Sequence, residues 1–251
     1  MTPEGKILLH QAIDLTATLP WASQGFTIEP LYEKDIYVEF KKQTRQLLID
    51  CWRKSGFEVP DDFPLDRYHQ LAPDFETHLR GIEHTKLLSV KYFPLGIERL
   101  EERISDLLHT RVKVFNPWDQ QSVFHFRVIR PNSRDNNPLH RDVWLEDYDN
   151  CINLYIPVAG SNENSSLTLI PGSHHWPESA IERTATGAEV NGIRFNVPAV
   201  TKIYPPHDII RPNPKENEVL IFSPYLLHGG AINLNPNTTR ISMEVRLWKN
   251  G

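Results

Sequence analysis

The segment EVLIFSPYLLHGGAINLNPNTTRISMEVRLW, residues 218–248, holds two β-rich runs separated by a turn-forming stretch. Val219, Leu220, Ile221 and Phe222 make a run short enough for a buried strand, and NLNPNTT supplies the turn chemistry. In the final run, Ile241, Met243, Val245 and Leu247 alternate with Arg240, Ser242, Glu244 and Arg246. Successive side chains of a strand point to opposite faces, so one face packs and the other is polar. Two readings of the polar face stay open. It meets water, as antiparallel sheets commonly permit, or it lines a polar cavity inside a closed roll.

Upstream the same texture repeats. RVKVFN, SVFHFRVI, CINLYIPV and SSLTLI read as further short strands, and clusters such as PNSRDNNP punctuate them. In SVFHFRVI, Val123, His125, Arg127 and Ile129 share one parity; in CINLYIPV, Asn153 and Tyr155 alternate with Ile152, Leu154 and Ile156. Short strands in series, with no βαβ pattern and no GxGxxG after a strand, predict an antiparallel sandwich or jelly roll. Before residue 111 the chain reads as helical. Ile36, Phe40, Leu47, Leu48 and Trp52 space a helix over residues 31–56, with Gly56 as its stop. A second stripe runs through Ile97, Leu100, Ile104, Leu107 and Leu108, opposite a charged face. The expectation is mainly β with flanking helices: a single domain over 1–251, mostly helical at 1–110 and a β core at 111–251.

Composition narrows the function classes. A formal charge of −5, without a Lys/Arg block, is not the footprint of a nucleic-acid binder. Cys51 and Cys151 are the only cysteines, which excludes a disulfide framework or a CxxC zinc pattern. The first residues, MTPEGKILLHQ, do not read as a signal peptide, and no stretch approaches a membrane span in length. The expected setting is cytoplasmic, with a small-molecule substrate, no nucleic acid and no membrane. The oligomeric state is not legible.

His140, Arg141 and Asp142 form an H-x-D element. Residues i and i+2 of an extended segment share a face, so the imidazole and the carboxylate can converge on one ion. His228, between a strand and a glycine pair, would complete two histidines and one carboxylate, which leaves coordination positions open and suits non-haem Fe(II). The plain alternative for H-x-D alone is a surface turn. Arg240 follows His228 by twelve residues, so a hairpin can return it to the same cavity. Its guanidinium is matched to a carboxylate by bidentate bonding, and the Ser242 hydroxyl shares its face.

Three pieces, PLHRDVW, SSLTLIPGSHHW and LIFSPYLLHGGAINLNPNTTRISMEVRLW, occur in this order. Together they resemble the phytanoyl-CoA dioxygenase-like branch of the Fe(II)/2-oxoglutarate-dependent oxygenases, over about half of the chain. The resemblance implies a double-stranded β-helix (jelly roll, cupin-like) with flanking helices, iron held by His140, Asp142 and His228, and 2-oxoglutarate anchored by Arg240. It implies that O2 and 2-oxoglutarate are consumed with release of succinate and CO2. Related halogenases carry a small residue where Asp142 stands, so the carboxylate points to hydroxylation or another oxidation. Asn153, Thr168 and Ser242 are expected to contact 2-oxoglutarate, and Arg127, His125, Trp144 and Arg246 the substrate. Glu244 and Arg246 are read as a pair, and His174 and His175 as residues of opposed direction that do not share a metal. His84, His109 and His207 are read as surface residues. The leading function is hydroxylation of a small, polar metabolite; the alternatives are an oxygenase acting on a protein or RNA group, and a metal-binding cupin-like module without redox chemistry.

Overall fold

Alternating apolar side chains in the β-rich half build an antiparallel sheet around the last strand of the chain. The computed structural model describes residues 14–250, apart from 134, 136, 146, 147, 191, 192 and 205. The start of the chain on which the signal-peptide reading rests lies outside the described residues. In chain order the elements are β1 (Phe26–Pro30), α1 (Lys34–Lys54), α2 (Tyr68–Leu71), α3 (Phe75–Gly81), β2 (Leu88–Ser89) and α4 (Ile97–Leu108). There follow β3 (Val112–Lys113), β4 (Val123–Ile129), β5 (Cys151–Ala159), β6 (Ile181–Arg183), β7 (Ala188–Val190), β8 (Ile193–Phe195), β9 (Val200–Ile203), β10 (Glu218–Phe222) and β11 (Arg240–Lys249).

The main sheet runs β1-β10-β5-β11-β4-β2, with β3 on the far end of β11. Its central register sets Glu244 opposite both His125 and Tyr155, and Arg246 opposite Asn153. Helices cover one face. Tyr37, Phe40, Leu48, Ile49 and Trp52 of α1 and Leu100 and Ile104 of α4 pack in one core with Ile241, Met243, Val245 and Leu247. Those four strand residues are at most 1% exposed, and each buried side chain of this size is worth about 1.5–3 kcal/mol. Gly56, at φ +84, turns the chain out of α1 in a conformation that favours glycine.

Across the other face lies a thin second layer of irregular segments. Its pairing consists of single bridges, His140 with His228, Leu169 with His228 and Leu169 with Ile210. The two layers close a jelly roll with the polar parity of β4, β5 and β11 inside. The alternative of a polar face turned to water is thereby settled: Arg240 and Ser242 are 2% and 0% exposed.

Two expectations of the fold need correction. SSLTLI is not a strand. Ser165 and Ser166 close a turn on the Asn162 carbonyl, and beyond it Leu169 and Ile170 bond separately to Ile210 and Leu227. The helical N-terminal part also supplies strands β1 and β2, too short for periodicity to reveal. Two further two-stranded sheets, β6 with β9 and β7 with β8, stand apart from the main sheet. Both cysteines are buried and free, and among the described residues no helix is long and apolar enough to cross a membrane.

Candidate functional site

His140 and His228 are placed by the backbone. Each donates its N–H to the other's carbonyl at 2.9 Å, and this reciprocal bridge sets the two rings 4.4 Å apart. Gly229 permits the approach. At φ +103, a Cβ there would sit 2.5 Å from the Pro138 carbonyl oxygen and 3.0 Å from His140 Nδ1, so any side chain would push the strands apart. Asp142 opens a 3-10 turn over Asp142–Trp144, and its N–H donates to the Pro224 carbonyl at 3.1 Å.

Both imidazoles are oriented from behind. His140 Nδ1 lies 2.7 Å from the Pro138 carbonyl and His228 Nδ1 2.9 Å from that of Leu226. A carbonyl oxygen only accepts, so each Nδ1 carries a proton, and in the neutral ring each Nε2 is left with a lone pair. Those Nε2 atoms stand 3.2 and 3.7 Å from Asp142 Oδ1. Burial holds His228 down to about 4, against the opposing pull of Asp142, so it is neutral at physiological pH. Asp142 is held well below the usual carboxylate range: burial would raise it, but the Arg246 guanidinium leads the effects that outweigh that. Three electron-pair donors therefore face one another, with ligand atoms all within 4.8 Å. A cation between them turns this repulsion into coordination, so the donor set fits a metal, and its two-histidine, one-carboxylate composition fits Fe(II).

The other carboxylate oxygen is held separately. Asn153 Nδ2 donates to Asp142 Oδ2 at 2.8 Å, and the Arg246 guanidinium stands 3.5 Å from the same oxygen. Asn153 thus meets Asp142, and Arg246 aims at Asp142 and stacks at 4.8 Å on the Tyr148 ring. Glu244 pairs not with Arg246 but with Arg127, by two bonds of 3.2 and 3.0 Å. The register places Glu244 opposite the strand next to Arg127, and the guanidinium fork matches its carboxylate.

Arg240 lines the same recess as His140, Asp142 and His228, walled by Ile129, Tyr155, Leu167 and Phe222. Nη1 donates to Ser242 Oγ at 2.8 Å and Nε to the Ser165 carbonyl at 3.1 Å. Nη2 has no hydrogen bond among the described residues, and no carboxylate there lies within ion-pair distance of the guanidinium. A buried unpaired charge costs several kcal/mol. An anionic group entering the recess would remove that cost, so Arg240 fits one carboxylate of 2-oxoglutarate.

Other predicted residues lie further out. The Thr168 hydroxyl donates to the Gly229 carbonyl and supports the His228 loop. Trp144 turns away from the recess: its Nε1 donates to Glu178 at 2.9 Å, and Arg183 stacks on its ring at 4.7 Å. His125 lines an adjoining cavity and accepts the Leu87 N–H at 3.0 Å. His174 and His175 do not diverge as strand neighbours would. They lie in a 3-10 turn, with Nε2 of each within 3.2 Å of the Ala22 carbonyl. His84 and His109 are exposed, and exposed His207 stacks on Trp176 at 4.2 Å. Sequence reasoning missed Gly229, whose signal was the glycine pair after His228.

The phytanoyl-CoA dioxygenase family model matches residues 28–242. No curated protein matches the sequence. Among solved structures, AviO1 from Streptomyces viridochromogenes Tue57 is similar with a TM-score of 0.53 at 18% identity, over 91% of each chain. The non-haem α-ketoglutarate-dependent carbocyclase SnoK from nogalamycin biosynthesis gives 0.52 at 13% identity, over 95% of this chain and 87% of that one. The epimerase SnoN, in complex with Fe3+, α-ketoglutarate and nogalamycin RO, gives 0.50 at 13%, over 96% and 84%. At these identities the likeness establishes the fold.

Proposed function

The chain belongs to the phytanoyl-CoA dioxygenase family and is a dioxygenase that uses iron and 2-oxoglutarate; from that premise we propose that it hydroxylates a small, polar metabolite. The overall reaction takes substrate, O2 and 2-oxoglutarate to hydroxylated substrate, succinate and CO2. The observation that supports this reading is the meeting, in one buried recess, of three electron-pair donors with an arginine that has no carboxylate partner.

In this reading His140 Nε2, His228 Nε2 and Asp142 Oδ1 hold the iron. Asn153 and Arg246 keep Asp142 Oδ2 occupied, so the carboxylate offers its other oxygen alone. Arg240, pinned by Ser242 and the Ser165 carbonyl, receives the distal carboxylate of 2-oxoglutarate with its side chain already ordered. Apolar walls at Ile129, Leu167 and Phe222 exclude water and strengthen these charge contacts. The iron, when bound, supplies O2 activation coupled to decarboxylation of 2-oxoglutarate.

The test is spectroscopic. Anaerobic addition of Fe(II) and 2-oxoglutarate is expected to produce the weak visible charge-transfer band of the chelate. It should vanish in Asp142→Ala and need more 2-oxoglutarate in Arg240→Gln. A wild-type protein that shows no band would remove the oxygenase assignment of these residues.

A further inference from the structure

On the outer side of His140 and Asp142 lies a second cavity of about 460 Å³, within the range of small-molecule sites. Its lining is of two kinds. Phe75, Leu79, Ile82, Val128, Leu145 and Val197 are apolar, and Lys86, His125, Arg127 and Arg246 polar. Phe75 and Leu79 are 43% and 48% exposed and Lys86 is exposed too, so the cavity opens to the surface.

Among the described residues, the carboxylates at this cavity are already matched. Glu244 is bound by Arg127 at 3.0 Å, Asp135 by Arg130 at 2.9 Å, and Asp142 by Arg246 at 3.5 Å and the Asn153 amide at 2.8 Å. Lys86 has no carboxylate within ion-pair distance among them. His125 is the second unmatched donor. Because the Leu87 N–H donates to its Nδ1, the neutral ring carries its proton on Nε2. Burial first, then the charges of Arg246, Arg127 and Lys86, hold it to about 4 against Glu244, so the ring stays neutral. Among the described residues the polar lining thus offers one cation and one neutral N–H without a matched carboxylate.

We propose that this cavity binds the substrate through a carboxylate on an apolar body, with the carboxylate held by Lys86 and His125 Nε2–H and the body against Phe75, Leu79 and Ile82. One positive charge without a carboxylate partner among the described residues matches a monoanion; a phosphate monoester would bring a second charge. The proposal narrows the polar metabolite of the proposed function to one whose polar group is a carboxylate and whose remainder is apolar, and so rests on the iron reading of His140, Asp142 and His228.

The test uses the full chain loaded with Mn(II) and saturating 2-oxoglutarate, which occupies Arg240. Calorimetric titrations compare 3-phenylpropanoate, 4-phenylbutanoate and octanoate, each with its carboxamide. At least one acid is expected to bind about tenfold more tightly than its amide, the effect of a charged hydrogen bond. Lys86→Gln and His125→Phe should each abolish that preference while leaving 2-oxoglutarate affinity unchanged. Equal binding of acid and amide, a preference that survives Lys86→Gln, or no binding by any of the three acids overturns the proposal. Mn(II) and 2-oxoglutarate are titrated beforehand without acid. Failure at that stage breaks the oxygenase reading, and the acid–amide comparison on the metal-free protein then judges the cavity separately.

Discussion

The two faces of β11 carry the same strand geometry and opposite physics. On one face Ile241, Met243, Val245 and Leu247 are sealed against α1 and α4. They contribute through apolar area removed from water, and chemically similar side chains of equal volume would serve nearly as well. On the other face Arg240, Ser242, Glu244 and Arg246 are also removed from water or nearly so, yet each is held by a named partner or points into a cavity. There the identity of the side chain matters more than its volume. One ten-residue strand therefore anchors the fold with one parity and the chemistry with the other.

Substitutions on the two faces should separate stability from function. The largest effect is expected on the polar side, at Asp142, the proposed iron ligand that Asn153 of β5 and Arg246 of β11 hold. Asp142→Ala should leave circular dichroism unchanged while iron content and succinate formation fall at least roughly 100-fold, the upper range for loss of even an outer-shell partner; elemental analysis and a succinate assay check it. On the apolar face, Met243→Ala should cost about 2–5 kcal/mol in urea unfolding without changing 2-oxoglutarate affinity. A shift in that affinity as large as the stability loss would erase the division between faces.

Arg240→Gln is expected to weaken 2-oxoglutarate by about 1.5–3 kcal/mol, roughly 10- to 150-fold in Kd, with Arg240→Lys between it and wild type. Asn153→Ala removes the donor on Asp142 Oδ2 and should weaken metal binding roughly tenfold, at the lower range for such partners. Competition with a metal indicator measures it.

The smallest effect is a pH slope in the metal-free protein. His125 and His78 are both held to about 4, each chiefly by burial, while an unfolded histidine takes its proton near the ordinary 6.5. Below pH 6.5 the unfolded chain binds protons that the folded one does not, so this contribution is complete above 6.5 and is lost toward pH 4. His125→Gln should flatten that slope in chemical unfolding between pH 6.5 and 4. An unchanged slope would mean that the cavity side of β4 is as wet as the bulk.

Much of this was legible in residues. The parity of β4, β5 and β11 is a local property, because a strand turns every second side chain to the same face whatever it packs against. The helical stripes of α1 and α4 follow from the same kind of reasoning. SSLTLI misled because apolar composition does not distinguish a laddered strand from a segment that bonds residue by residue to separate loops. Trp144 misled because proximity to Asp142 in the chain says nothing of direction after a 3-10 turn.

Sequence alone determined the fold class, the H-x-D element with its distant histidine, and the arginine that shares a strand with Ser242, since these depend on residue type, spacing and periodicity. Tertiary structure alone decided that the polar parity faces a cavity, that Glu244 belongs to Arg127 and Arg246 to Asp142, and that Lys86 joins the wall of the outer cavity. Those pairings join groups up to 117 residues apart, and the energy that selects among them arises only when burial makes an unmatched charge costly.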